Sequence, residues 1–322
     1  MPRILIIRMS SMGDVIHNLP AVNDIHRQYP DARIDWVVEE SFATIVALHP
    51  RVSKVVPVAL RRWRQSLVEA ATRKEISAFK RVLRAESYDI VLDSQGLIKS
   101  ALLARLARGE RHGYDWASAR EGAATLLYQR RYAVGWHLHA VQRNRLLTSL
   151  ALGYDIQNVP LDYGIAAPES TPQWLPKDEY AVLLHATSRT EKLWPEDRWI
   201  ALGQLLSEAR IYCLLPWGTA AERVRGERLA KAIPNARAAP ALNLDDAASL
   251  LARAAIVIGV DTGLTHLAAA LGANVIAVYV ASSPGLNGVY AGKQAINLGE
   301  AGATPAVSDV WHAASKLMDA RP

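Results

Sequence analysis

Four short segments carry side chains able to do chemistry, and each directly follows an apolar, strand-forming run. The first is Met9-Ser10-Ser11-Met12-Gly13-Asp14. Asp14 stands where a helix should begin, so it reads either as an acid stabilised by the helix dipole or as a general base poised in a cleft. The second is Asp261-Thr262-Gly263-Leu264-Thr265-His266, also at a helix start. Its backbone N–H groups and the Thr262 and Thr265 hydroxyls suit phosphate oxygens, with helix capping by Asp261 or Thr262 as the plainer alternative. Taken alone, His266 is more often a packed core histidine than a catalyst. The third runs from Ala186 through Thr187, Ser188 and Lys192 to Pro195. Hydroxyls and a lysine there could clamp a diphosphate, because a departing nucleoside diphosphate develops negative charge that must be neutralised. A solvated loop ahead of a Pro-started helix has the same composition. The fourth, Pro216-Trp217-Gly218-Thr219, precedes a helix carrying Glu222, which could accept from ribose hydroxyls or simply occupy an exposed first turn.

Arg61, Arg62 and Arg64 surround Trp63. They could grip phosphate or carboxylate while the indole packs on a sugar or lipid edge; a solvated loop or a nucleic-acid contact is equally compatible. The chain has 37 Lys and Arg against 31 Asp and Glu, a formal charge of +6, which favours anionic partners. No RNA-binding or helix-turn-helix signature accompanies that charge, so no nucleic acid is expected as partner. The first loop is neither G-x-G-x-x-G nor G-x-x-x-x-G-K-[ST], so dinucleotide and P-loop readings lack their key residues. His137 and His139 have no Cys, Asp or Glu at zinc-ligand spacing, and no metal site is expected. Cys213 is the single cysteine, which excludes an intrachain disulfide and fits an inert core thiol in a reducing cytosol.

The elements that must position these residues follow from periodicity. Short β-rich runs alternate with longer helical patterns, the mark of βαβ units, so the fold class is α/β with parallel sheets. Strands are expected at Arg3 to Arg8, Ile34 to Val38, Val55 to Val58 and Tyr88 to Leu92, then at Tyr180 to His185, Ile211 to Leu215, Ile256 to Val260 and Val275 to Val280. Helices are expected at Ser77 to Ala85, Leu97 to Ala107, Ala123 to Tyr132, His139 to Leu152, Glu196 to Ala209, Ala220 to Ala232, Leu244 to Ala254 and Val307 to Asp319. A length of 322 residues suits two Rossmann-sized halves. Pro160, Pro168, Pro172 and Pro176 mark a linker at 161–178, between domains 1–160 and 179–322, with the final helix able to pack back on the first domain. The longest apolar stretch, Leu267 to Ala281, is broken by Gly272 and Asn274, and the N-terminus is no signal peptide, so membrane association should be peripheral.

Over essentially its whole length the chain resembles the lipopolysaccharide heptosyltransferase I family. The matching segments are Ser10-Ser11-Met12-Gly13-Asp14-Val15, Trp36-Val37-Val38-Glu39-Glu40, Arg61-Arg62-Trp63-Arg64, Gln95-Gly96-Leu97-Ile98-Lys99-Ser100, His112-Gly113-Tyr114-Asp115-Trp116, Leu215-Pro216-Trp217-Gly218 and Asp261-Thr262-Gly263-Leu264-Thr265-His266. Each is a modest signal, and in this order across both halves they are specific.

The resemblance implies a GT-B fold, two Rossmann-like domains facing across a central cleft, the first binding acceptor and the second ADP-heptose. It implies an inverting transfer of L-glycero-D-manno-heptose from ADP-heptose to the inner Kdo of di-Kdo-lipid A, in lipopolysaccharide inner-core synthesis. Asp14 then matches the catalytic base, Thr187, Ser188 and Lys192 the diphosphate contacts, Glu222 the ribose contact and Leu242 the adenine contact. Asp261, Thr262, Gly263 and His266 match the donor loop, and Arg61, Arg62, Arg64, Lys99 and Arg120 are the acceptor-side cations. Ser188 stands where the family has Thr and Leu242 where it has Met, both conservative. No cofactor and no obligatory metal are implied. The expected setting is peripheral, on the anionic cytoplasmic face of the bacterial inner membrane; no oligomeric state is assigned. Two rivals remain at this stage: heptosyltransferase II or another ADP-sugar transferase of the same fold, and a non-catalytic nucleotide- or anion-binding protein in which Asp14 merely caps a helix.

Overall fold

The run Arg3-Ile-Leu-Ile-Ile-Arg8 sets four large apolar residues in succession, a pattern that a strand covered on both faces can bury. In the computed structural model, which describes residues 1–169 and 171–320, it forms strand β1 (Arg3–Ile7) with Ile4, Leu5, Ile6 and Ile7 wholly inaccessible. Its companions are β2 (Arg33–Glu39), β3 (Val52–Val58), β4 (Ser87–Asp93), β5 (Arg108–Tyr114) and β6 (Arg130–Tyr132). The sheet is parallel throughout, in the order β3-β2-β1-β4-β5-β6, with Ile4 level with Ile34 on one side and Ile90 on the other.

The second sheet repeats the scheme with β7 (Tyr180–Leu184), β8 (Tyr212–Leu215), β9 (Ala236–Ala238), β10 (Ile256–Val260), β11 (Val275–Val278) and β12 (Ala295–Leu298). Its order is β12-β11-β10-β7-β8-β9, again parallel. Counted within its own half, each sheet runs 3-2-1-4-5-6. The strand order therefore reverses between β1 and β4, and again between β7 and β10. In open parallel sheets, ligands bind beyond the carboxyl ends of the strands at such switch points. The loops that matter are thus those leaving β1, β4, β7 and β10.

The chain divides after Ile165 into two compact units. Ser170, within the expected linker 161–178, lies outside the described residues, as do Arg321 and Pro322 at the end of the expected second domain. In the first unit a buried ion pair ties two helices: Arg145, from Ala140–Leu152, donates to both oxygens of Asp24, in Leu19–Gln28, at 2.6 and 2.9 Å. In the second, Trp194 and Trp199 meet edge-to-face at 5.0 Å between ring centres within the core.

Four strands escape the periodicity reading: β5, β6, β9 and β12. Each is short or polar: β5 is a mostly polar run, and β6, β9 and β12 are edge strands of three or four residues, too short to show a period. The expected helix Ala123 to Tyr132 is instead a 3-10 turn, Gly122–Leu127, followed by β6. Tertiary anchoring overrides local propensity there, because Tyr128 is buried and its hydroxyl donates to Asp93 at 2.6 Å. The helix Leu19–Gln28 was not expected. The final helix, Val307–Asp319, packs Val310, Ala313, Ala314 and Leu317 into the core of the second unit.

Burial, the largest cause, pulls the imidazoles of His49 and His185 down to about 4 from an ordinary 6.5. Unfolding lets both take up protons between those values, so folding stability should fall as pH drops from 6.5 toward 4. Each group should contribute a slope of about 1.4 kcal/mol per pH unit in urea titrations, and His185→Gln should remove its share of that slope.

Candidate functional site

Two loci form, one in each unit, both at switch points. In the first unit the chain leaves β1 at Arg8 and turns into the short helix Met12–Ile16, which Ser11 precedes as the capping residue. Asp14 reaches back so that its Oδ2 accepts from both the N–H and the hydroxyl of Ser11 at 3.0 Å. The plain capping role is therefore real, but it occupies one oxygen. The other, Oδ1, accepts from Arg8 at 2.7 Å and from Arg120 at 3.0 Å. The two cations differ: the Arg8 side chain is 5% exposed and that of Arg120 is 44% exposed.

Burial by itself would raise the Asp14 pKa. The charges of Arg8 and Arg120, the Ser11 N–H and nearby His17 outweigh it and hold the carboxyl well below the usual carboxylate range. Arg8 is fixed from the other side, where it donates to the carbonyl of Ser94 in the loop after β4. That loop is itself braced. Asp93 accepts from the Gln95 and Gly96 N–H groups at 2.9 and 3.2 Å, and Gln95 accepts from the Met9 N–H at 2.8 Å. Gly96 holds a φ of +69°, and a Cβ there would press to 3.3 Å from the backbone nitrogen of Arg120 and 3.2 Å from the Tyr114 ring. A glycine is thus needed to bring the segment carrying Arg120 beside Asp14.

The remaining acceptor-side cations lie in loops and helices at the same edge of the sheet. Arg61 stands over the Phe42 ring at 5.5 Å, and Arg62 is held by Glu40 and Glu75 at 3.0 and 2.9 Å. Arg64 and Lys99 are exposed. Trp63 does not offer its face to a sugar: it is buried against Phe79 and donates to Glu75 at 2.8 Å. Of the chosen cations, only Arg120 touches Asp14. Arg8 escaped the sequence reading; its signal was a lone cation closing a buried apolar strand.

In the second unit, Asp261 follows β10, and its Oδ2 accepts from Lys192 at 2.6 Å and from Ser282 at 2.7 Å. His266 approaches Oδ1 at 3.7 Å, and the Thr187 hydroxyl donates to the Asp261 carbonyl at 3.0 Å. Burial raises the Asp261 pKa, but bonds from His266, Lys192 and Ser282 draw it well below the usual range. Thr262 occupies the position before the helix Gly263–Ala270, whose amino end carries the positive end of the dipole. Thr265 is unsuited to phosphate, since its buried hydroxyl donates to the Val260 carbonyl at 2.7 Å. Ser188 is exposed in the loop after β7, and Leu242 is half-buried just before Asn243 caps the next helix. Glu222 closes a capping box, accepting from the Gly218 and Thr219 N–H groups at 2.7 and 3.1 Å. Ser282 was missed, having no motif around it.

Asp14→Asn would leave buried Arg8 without its anion. At neutral pH the variant should be about 3 kcal/mol less stable in denaturant titrations. The carboxyl's folded pKa lies below its ordinary 3.8, so its contribution is present above that value and lost as pH falls below it; the gap between variant and wild type should close there.

Against this geometry, comparison with known proteins is consistent. Residues 76–313 match the family model described as glycosyltransferase family 9 (heptosyltransferase). The lipopolysaccharide heptosyltransferase 1 of Escherichia coli strain K12 is 46% identical over 297 residues, 91% of this chain and 92% of that one. Among solved structures, the E. coli heptosyltransferase WaaC with ADP superposes with a TM-score of 0.90 at 42% identity, covering 98% of this chain and 99% of that one. The same enzyme with ADP-2-deoxy-2-fluoro heptose gives 0.86 at 41% identity and the same coverage. Two parallel six-stranded sheets of this order constitute the GT-B type of fold, and the chain belongs to glycosyltransferase family 9, the heptosyltransferases.

Proposed function

We propose that the chain moves L-glycero-D-manno-heptose from ADP-heptose to the inner Kdo of di-Kdo-lipid A, inverting the anomeric carbon. What carries the reading is the arrangement at the two switch points: a carboxylate between two arginines at one, and a lysine beside a helix amino end at the other. The 46% identity to the E. coli type 1 enzyme supports the choice of acceptor.

In this reaction Asp14 takes the proton of the attacking Kdo hydroxyl. The new C–O bond forms as the bond to the ADP oxygen breaks, and ADP leaves with the electron pair. A carboxylate gripped by two cations is a weak base, so Asp14 must gain basicity when the acceptor arrives. Arg120 is the cation able to leave, because it is half-exposed while Arg8 is buried. The carboxylate that Kdo carries is a suitable competitor for it, with Arg61, Arg62, Arg64 and Lys99 as further anion contacts.

On the donor side Lys192, with Thr187, Ser188 and the amino end at Thr262 and Gly263, neutralises the departing diphosphate. Lys192 must then exchange Asp261 for phosphate oxygens, leaving His266 and Ser282 to hold Asp261. Glu222 would meet the ribose while still capping its helix, and Leu242 would meet adenine. Charge neutralisation by side chains and a helix end makes no metal or other cofactor obligatory. The setting is the anionic cytoplasmic face of the inner membrane, with the chain bound peripherally.

Mass spectrometry of ADP-heptose incubated with di-Kdo-lipid A tests this directly. Wild type should yield a product heavier by one heptose, with EDTA present or absent, and folded Asp14→Ala should be slower by at least about 100-fold. No product from folded wild type would overturn the reading. Loss of product in EDTA with recovery in magnesium would overturn the metal-independent mechanism.

A further inference from the structure

The first unit carries an apolar surface that its core does not use. Helix Ile98–Leu106 turns Ala101, Leu103 and Ala104 inward, and the opposite stripe is Ile98, Leu102 and Arg105 at spacings of four and three. Ala101 packs against Ala124 of the 3-10 turn Gly122–Leu127, which sets that turn alongside the helix. The turn exposes Leu126, and Trp116 lies across Gly122, where an added Cβ would fall 2.8 Å from the indole. Trp136 continues the surface, its indole N–H donating to the Ala117 carbonyl at 2.8 Å. The Ile98 N–H in turn donates to Glu121 at 2.6 Å, joining the helix to the segment after Arg120.

Leu126 is 69% exposed, Trp116 64% and Leu102 52%. Single exposed apolar side chains are ordinary, but several on adjoining segments mark a contact surface. The polar groups beside them favour one class of partner. Lys99 and Arg105 project, exposed, from the same helix as Ile98 and Leu102, while the Glu121 and Asp115 carboxylates are drawn back onto the protein by the Ile98 N–H and by the Ser118 N–H at 2.9 Å. Indole and aliphatic groups set among cations suit an interface with acyl chains below and anionic headgroups around. No described helix is long and apolar enough to cross a membrane.

We propose that the face formed by Ile98, Leu102, Trp116, Leu126 and Trp136 docks the chain on an anionic lipid bilayer, beside the loop carrying Arg120. The inference rests on the acceptor being lipid-borne, as in the reading above, and adds which surface meets the lipid. Docking there would hold the Asp14 locus near headgroup level, where a sugar attached to a lipid would lie.

Flotation of the full chain with phosphatidylcholine vesicles, with and without phosphatidylglycerol, tests it. Wild type should float with the anionic vesicles, less so at high salt, and Leu102→Gln/Leu126→Gln should reduce the bound fraction by at least about tenfold. The same variant should match wild type on a deacylated, water-soluble acceptor, which shows that it is folded. Failure of wild type to float with anionic vesicles, or equal flotation of the variant, would overturn the proposal. Flotation lost in the variant with no transfer by either protein would support the docking face while removing the acceptor reading.

Discussion

Asp14 Oδ1 is shared between two guanidinium groups that differ in freedom, and much of the first unit serves to arrange that sharing. Arg8 arrives just after four wholly buried strand residues, Ile4 to Ile7, and is fixed by the Ser94 carbonyl, so its charge stays in place. Arg120 arrives from the segment after β5, brought close by a glycine whose backbone other residues rarely adopt. The buried cation makes an ionised Asp14 stable, and the exposed one limits its basicity. An anion that competes for Arg120 therefore changes the chemistry of Asp14 without moving the fold.

The second unit solves a parallel problem with the same topology. Parallel strands place every loop that follows a strand at one edge, and the reversal between β7 and β10 sets Lys192 and Asp261 face to face. In the absence of diphosphate, each charge needs the other. Asp261 also receives Ser282 and lies beside His266, so the lysine can be given up at less cost than from an isolated pair. Both loci thus hold a carboxylate ready with a replaceable cation.

The central strands were legible because β1, β7, β10 and β11 are continuous apolar runs, and their loops announced Asp14, Lys192 and Asp261. The edge of the first sheet was not. Arg108–Tyr114 and Arg130–Tyr132 form strands through pairing and through the Tyr128–Asp93 bond, which no local pattern encodes. Roles that depend on partners were equally hidden: Trp63 looked available and is core, Thr265 looked like a phosphate ligand and is turned inward, and Arg8 looked like a strand end. Glu222, read only as a ribose contact or an exposed first-turn acid, turns out to share a capping box with Thr219 three residues before it.

Carbon-13 NMR titration of the Asp14 carboxyl, with and without the di-Kdo acceptor in the presence of ADP, measures the shared interaction itself. The midpoint should lie below the usual carboxylate range in the free protein and rise when acceptor binds and draws Arg120 away. A midpoint unmoved by bound acceptor would contradict the account, because Asp14 would then remain as weak a base in the complex as in the free protein.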